Sequence, residues 1–161
     1  MSAKGKSYLS LIIWVISLVA IGAAIGASTE TSVDIWYHAL NRSPLTPPSY
    51  VFSIVWTILY ILIAISGWII WKSQFFLELP TIKKLFIAQM LLNWSWTPLF
   101  FGHHLVSLAL ICLCLIVILV AILIVKSYKN LPAISGLLIP YLLWLTLATH
   151  LNFYIWQNNI L

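Results

Sequence analysis

The chain has 161 residues, of which 63% are hydrophobic and only 7% charged, and its formal net charge is +5; the mean hydropathy is +1.06. A soluble globule of this length cannot bury so much apolar surface, so the composition excludes a soluble enzyme or binding module and points to an integral membrane protein. The eight basic residues stand near the ends of apolar runs and form no basic patch, which argues against nucleic acid as a partner and makes them topology signals instead.

A membrane helix needs about 20 largely apolar residues, and the continuous runs here favour helices over a barrel. The first expected span covers residues 8–27. Its start, "MSAKGK" before an apolar stretch ending in "AIGA", also fits a cleavable signal peptide, in which case four helices would remain. Retention is preferred, because the run exceeds a usual signal core. Gly22 and Gly26 also offer a small-residue face, suited either to dimerisation or to packing within one bundle.

The second expected span, residues 48–72, carries Phe52, Trp56 and Tyr60 at i, i+4 and i+8. The third, residues 81–101, contains "LNWSWTPLFF" and aligns Gln89, Asn93, Trp96 and Phe100 on one face. A carboxamide is costly in hydrocarbon unless partnered, so Asn93 is expected to point into the protein. Taken alone it reads as an interhelical hydrogen-bonding group. Pro98 is expected to loosen the helix and widen the space beside it.

The fourth span, residues 104–126, holds Cys112 and Cys114, about 200° apart on a helix and therefore unable to pair within it. The fifth, residues 132–157, places Tyr141, Trp144, Ala148 and Leu151 on one face. Trp68, Trp71 and Trp156 lie near helix ends and suit interfacial anchoring, whereas Trp56, Trp96 and Trp144 lie deeper. Indoles converging with a lone amide describe a slot for a large planar ligand, with Ala148 leaving room. Ordinary aromatic packing fits the same pattern.

The breaks between spans are "STETSVD", "WKSQFFLELP", "GHH" and "KSYKNLP". Short connections make neighbouring helices antiparallel, so residues 1–161 are expected to form one transmembrane domain, an all-α bundle of five helices. Seven of the eight basic residues then fall on one side and Arg42 alone on the other, which places the amino terminus inside. The interiors of the spans hold no Asp, Glu, Lys or Arg, which argues against an ion-coupled pump. No nucleotide-binding loop or catalytic triad pattern is present, and no metal site is expected. His103 and His104 are expected in a loop, His38 in another, and His150 is expected to be buried.

On "WYHAL", "PPSYVFSIVWTILY", "QMLLNWSWTPLFFG" and "PYLLWLTLATHLN", from about Trp36 to Asn158, the sequence resembles the TspO/MBR family. This family of tryptophan-rich sensory proteins includes the mitochondrial translocator protein, or peripheral benzodiazepine receptor. The resemblance implies a retained first helix, a homodimer, and a pocket enclosed by five helices under the loop after the first. It also implies ligands of planar, drug-like or porphyrin type such as protoporphyrin IX, with no required cofactor. Carried onto this sequence, the pocket is Trp56 and Trp144 as aromatic walls and Asn93 as polar contact. Trp96, Ala148 and Leu151 complete its lining, with Tyr37 and Pro47 from the lid and Tyr60 from the second helix.

Two departures stand out. The sterol pattern of animal members is incomplete, since Tyr154 is followed by Gln157 and no base, so cholesterol is not an expected partner. The family's Lys-Pro in the lid is here Arg42-Ser43, with Pro44 one residue later. The functions open at this point are a tetrapyrrole receptor or sensor, a passive translocator, and a purely structural bundle. An enzyme that degrades protoporphyrin IX with light and oxygen, using Trp56 and Trp144, is the remaining class. The charge rule fits a bacterial cytoplasmic membrane, and the family also occurs in bacterial and mitochondrial outer membranes.

Overall fold

The structure, a computed structural model, describes residues 3–159. It is helical throughout, with no strand among the described residues: α1 Ala3–Ala27, α2 Glu30–Ser32, α3 Ser49–Lys72, α4 Leu79–Thr97, α5 Val106–Ser127 and α6 Pro132–Asn158. π-helical turns follow α2 (Val33–Tyr37) and α4 (Pro98–Gly102). Four segments are long and apolar enough to cross a membrane: Ser7–Ala27 and the whole of α3, α5 and α6. Together with the family assigned below, they make this an integral membrane protein. The third expected span corresponds to α4, whose 19 residues are less apolar because Lys83, Lys84, Gln89 and Asn93 interrupt them.

Contacts run in a ring: α1 packs on α3, α3 on α6, α6 on α5 and α5 on α4, which meets α3 and α1 more lightly. The shared core is aliphatic, with Ile63, Ile82, Ile116, Leu138 and Leu145 almost fully buried. α1 is the outlier. Only about 6% of the residues in its apolar stretch are buried, against 33–39% in the other three.

Local chemistry explains the exceptions to straight helices. Pro98 lacks an N–H and its ring crowds the preceding turn, so the ladder shifts register: the His103 N–H donates to Pro98 O, five residues back, at 2.9 Å. His104 then turns the chain with φ 56°, a left-handed conformation, and α5 starts two residues later. Glycine allows the closest helix approach. A Cβ at Gly67 would lie 2.5 Å from Trp14 and 2.7 Å from Phe86, and one at Gly22 would overlap the Tyr60 ring. Gly22 therefore packs α1 against α3 within the bundle, whereas Gly26 has open space.

Two expectations are corrected. The segment after α1 is helical from residue 30 to 39 rather than a loop, which puts His38 in a helical turn; Trp36 and Tyr37 hold it by packing on Phe100, Phe101 and His104. His150 is exposed rather than buried. An aliphatic face of α6 fills the core, leaving the imidazole on the outer surface.

Candidate functional site

The predicted face of α4 points inward: Gln89 is 0% exposed, Asn93 5% and Phe100 2%. Asn93 sits at a three-helix junction. The Tyr60 hydroxyl of α3 donates to Asn93 Oδ1 at 2.8 Å, and Asn93 Nδ2 donates to the Tyr141 hydroxyl of α6 at 2.8 Å. The Tyr141 hydroxyl in turn donates to Gln89 Oε1 at 3.1 Å. This chain satisfies the interhelical role expected of a buried amide. It leaves Asn93 one N–H and one oxygen lone pair, while Gln89 Nε2 has no partner.

Aromatic rings flank the network. Trp56 is half-buried, 5.7 Å from Tyr60 and 6.5 Å from Tyr141 between ring centres. Trp144 sets its ring edgewise to Phe52 at 5.5 Å, and its buried Nε1 is unpartnered. Ala148 shares the buried cluster with Tyr60 and Tyr141, against which Trp56, Trp96 and Trp144 pack. Leu151 is 6% exposed. Trp96 reaches further up: its Nε1 donates to Asn152 Oδ1 at 3.3 Å and it stacks on Phe100 at 5.4 Å.

Above this level the chain between α1 and α3 closes over the rings. Tyr37 meets Phe100 and Phe101 edgewise at 6.1 and 5.4 Å. Burial pushes the Tyr37 pKa up, and the Arg42 guanidinium, 5.4 Å above the ring, pulls the other way. Trp36 stacks on His104 at 4.1 Å, and Ser32 Oγ ties to the same imidazole at 2.8 Å while donating to Phe101 O. Asn41 and Asn159 exchange two hydrogen bonds, 2.8 and 3.1 Å, pinning the closure to the end of α6.

The structure thus gathers Trp56, Tyr60 and Asn93 directly, sets Trp144 and Ala148 on the same cluster, and links Trp96 to Tyr37 through Phe100. Pro47 stands apart, lining a surface cavity of about 470 Å³ with Arg42, Ser43 and Thr46. Sequence reasoning undervalued Tyr141, placed on the right face but not as the hub of the polar chain, and missed the Ser32–His104 tie. The signal for Tyr141 was its place, seven residues before Ala148; nothing marked Ser32. Among the described residues no three His, Cys, Asp or Glu side chains gather as metal ligands.

The family model for the TspO/MBR family matches residues 13–157. A tryptophan-rich protein TspO of Archaeoglobus fulgidus is 36% identical over 151 residues, 94% of this chain and 97% of that one. The human translocator protein is 35% identical over 126 residues, 77% of this chain and 75% of its own. A tryptophan-rich sensory protein of Cereibacter sphaeroides is 32% identical, covering 84% of each chain. With the family model spanning nearly the whole bundle and the tryptophan-lined junction at its centre, the chain belongs to the TspO/MBR family.

Proposed function

We propose that the protein is a five-span membrane receptor that binds tetrapyrroles such as protoporphyrin IX, and related flat apolar molecules, between Trp56, Asn93, Trp96 and Trp144. In this reading it regulates the level or movement of its ligand in a bacterial cytoplasmic membrane. The observation that carries it is Asn93, held by Tyr60 and Tyr141 at the meeting of three helices with aromatic rings on either side. A carboxamide with a spare donor among rings matches a ligand that is mostly π surface with a few polar edges. The relatives' names, translocator and sensory protein, agree with binding or movement of a small molecule.

The fifth span of this reading is α4 continued by its π turn through Gly102. Lys83 and Lys84 stand in its first turns, near the level of Lys72, so the charges keep to one membrane face and the span's middle is uncharged. The test is a titration with protoporphyrin IX in the dark, followed by tryptophan quenching. Wild type is expected to saturate at about one ligand per chain, and a folded Trp56→Phe, Trp144→Phe variant to bind more weakly. Equal, non-saturating quenching in both would reduce binding to partitioning into detergent.

One observation favours a second, enzymatic reading. Trp56 lies within electron-donating reach of Tyr60 and Tyr141, a line of oxidisable rings beside any bound macrocycle. Light- and oxygen-dependent loss of porphyrin with wild type, absent from the Trp56→Phe variant and from empty micelles, is the outcome this reading expects.

A further inference from the structure

A second hollow lies on the outside of the bundle, far from Asn93 in kind. Between α5 and α6 a groove of about 560 Å³ is lined by Leu110, Cys114, Val117 and Ile118 on one wall and by His150 and Phe153 on the other. Thr146 and Thr149 also border it, but their hydroxyls donate to Leu142 O and Leu145 O, so they add no free polarity. Its depth follows from one hydrogen bond. Asn152 Nδ2 donates to Val106 O at 3.0 Å, which levels Asn152 with the first residue of α5. At ~1.5 Å per residue, His150 lies about 3 Å below that end, and Ile118 about 18 Å below it. The groove therefore runs from the helix end to about the bilayer midplane, roughly the ~15 Å half-thickness of the hydrocarbon core.

Its upper end is polar. His150 Nε2 lies 3.4 Å from Ser43 Oγ, and Ser43 lines the 470 Å³ cavity that also holds Arg42 and Thr46. Arg42 is the single basic residue in the chain between α1 and α3. An exposed imidazole in this position is unexplained by packing, and its contact with Ser43 takes up only one ring nitrogen.

We propose that this groove and the Arg42 cavity, which meet at the His150–Ser43 contact, are a site for one anionic phospholipid. The acyl chain lies along Leu110, Cys114 and Ile118, the glycerol ester region meets the exposed His150, and the phosphate faces Arg42. The groove's surroundings in the membrane are lipid, its length is that of one acyl chain, and a cation stands at the end where a head group belongs. Free phosphate shares only the head-group chemistry and gains nothing from the apolar groove. The site does not depend on the porphyrin reading, and porphyrin is left out of the test.

The experiment is native mass spectrometry of the detergent-solubilised full chain with phosphatidylglycerol or phosphatidylcholine. Wild type is expected to retain one phosphatidylglycerol, preferred about fivefold over phosphatidylcholine, the ratio for one basic side chain at a membrane surface. Cys114→Trp fills the groove and is expected to abolish retention. Leu115→Trp, one residue on and exposed but outside the groove, is expected to leave it intact. Arg42→Gln is expected to keep the lipid but lose the preference. Equal effects of the two tryptophans, or none, would mean ordinary annular lipid and overturn the site. A preference that survives Arg42→Gln would overturn the head-group assignment. Unmutated protein gives an independent readout: phosphatidylglycerol is expected to slow alkylation of Cys114 by a bilayer-soluble maleimide, and an unchanged rate would count against the proposal whatever the variants do.

Discussion

The two ends of the bundle use the same aromatic vocabulary and are closed by different physics. At the lysine end, Trp14, Trp71 and Phe86 come from three long helices, with ring centres 5.3–6.3 Å apart. Gly67 lets them meet over a bare backbone. At the Arg42 end, Trp36 and Tyr37 come from a short helical segment and Phe100 and Phe101 from a π turn. These are held by side-chain hydrogen bonds from Ser32, His104, Asn41 and Asn159. Long helices packed through a glycine can part only by losing the core between them. Short segments tied by a few exposed polar contacts can open locally, so this end is expected to open before the lysine end does.

The largest effect is expected from Gly67→Val. Its side chain has no space beside Trp14 and Phe86, and overpacking of this kind costs about 1–3 kcal/mol. A thermal melt in detergent should show a clear fall in midpoint; an unchanged midpoint would mean that the lysine end is not held by this packing. Asn93→Leu comes next. It leaves the Tyr60 hydroxyl without its acceptor and takes away the donor to Tyr141, which keeps its bond to Gln89; polar contacts within membrane bundles are worth about 0.6 kcal/mol on average, up to about 1.7. A modest drop in midpoint with weakened porphyrin binding is expected, whereas lost stability with unchanged binding would make the amide purely structural.

Trp36→Ala should act at the Arg42 end alone. Losing one stack of about 0.5–1.5 kcal/mol is expected to speed amide exchange across residues 30–37 several-fold while the melting midpoint hardly moves. Uniform acceleration along the chain would instead join the two ends into one cooperative unit. The smallest effect is the titration of Tyr37. Because burial raises its folded pKa above the ordinary ~10, closure retains its full contribution below pH ~10 and loses it as pH rises through the raised value. Phenolate absorbance should show Tyr37 titrating late, and Trp36→Ala should return it toward the ordinary value. A late titration that persists in the variant would place its burial elsewhere.

The sequence made the long helices legible because an apolar run in a membrane admits little else, and helical period told which residues share a face. Gln89, Asn93 and Phe100 are buried on the face that spacing assigned. Cys112 is buried and Cys114 exposed, as their angular separation implies. What spacing does not carry is rotation of one helix against the next. The Tyr60–Asn93–Tyr141 junction depends on three helices meeting at one height, and His150 was read as buried because hydropathy describes a segment, not its outward side. The helical stretch of residues 30–39 was missed for a related reason: its polar start reads as a loop, and its stability comes from Phe100, Phe101 and His104, some 65 residues on.

The meagre burial of α1 carries a consequence for the history of the chain. A helix anchored by Leu18 in the core, flanked by Val15 and Val19, with Gly22 under Tyr60, Trp14 over Gly67 and Ser10 accepting from Trp68 at 3.0 Å, answers to selection at a few positions. Its outward Ile12, Ile13 and Ile16 are free to drift among apolar residues. Ancestry should therefore fade fastest along this helix, and reconstructed ancestors should disagree most there while agreeing on α3 through α6.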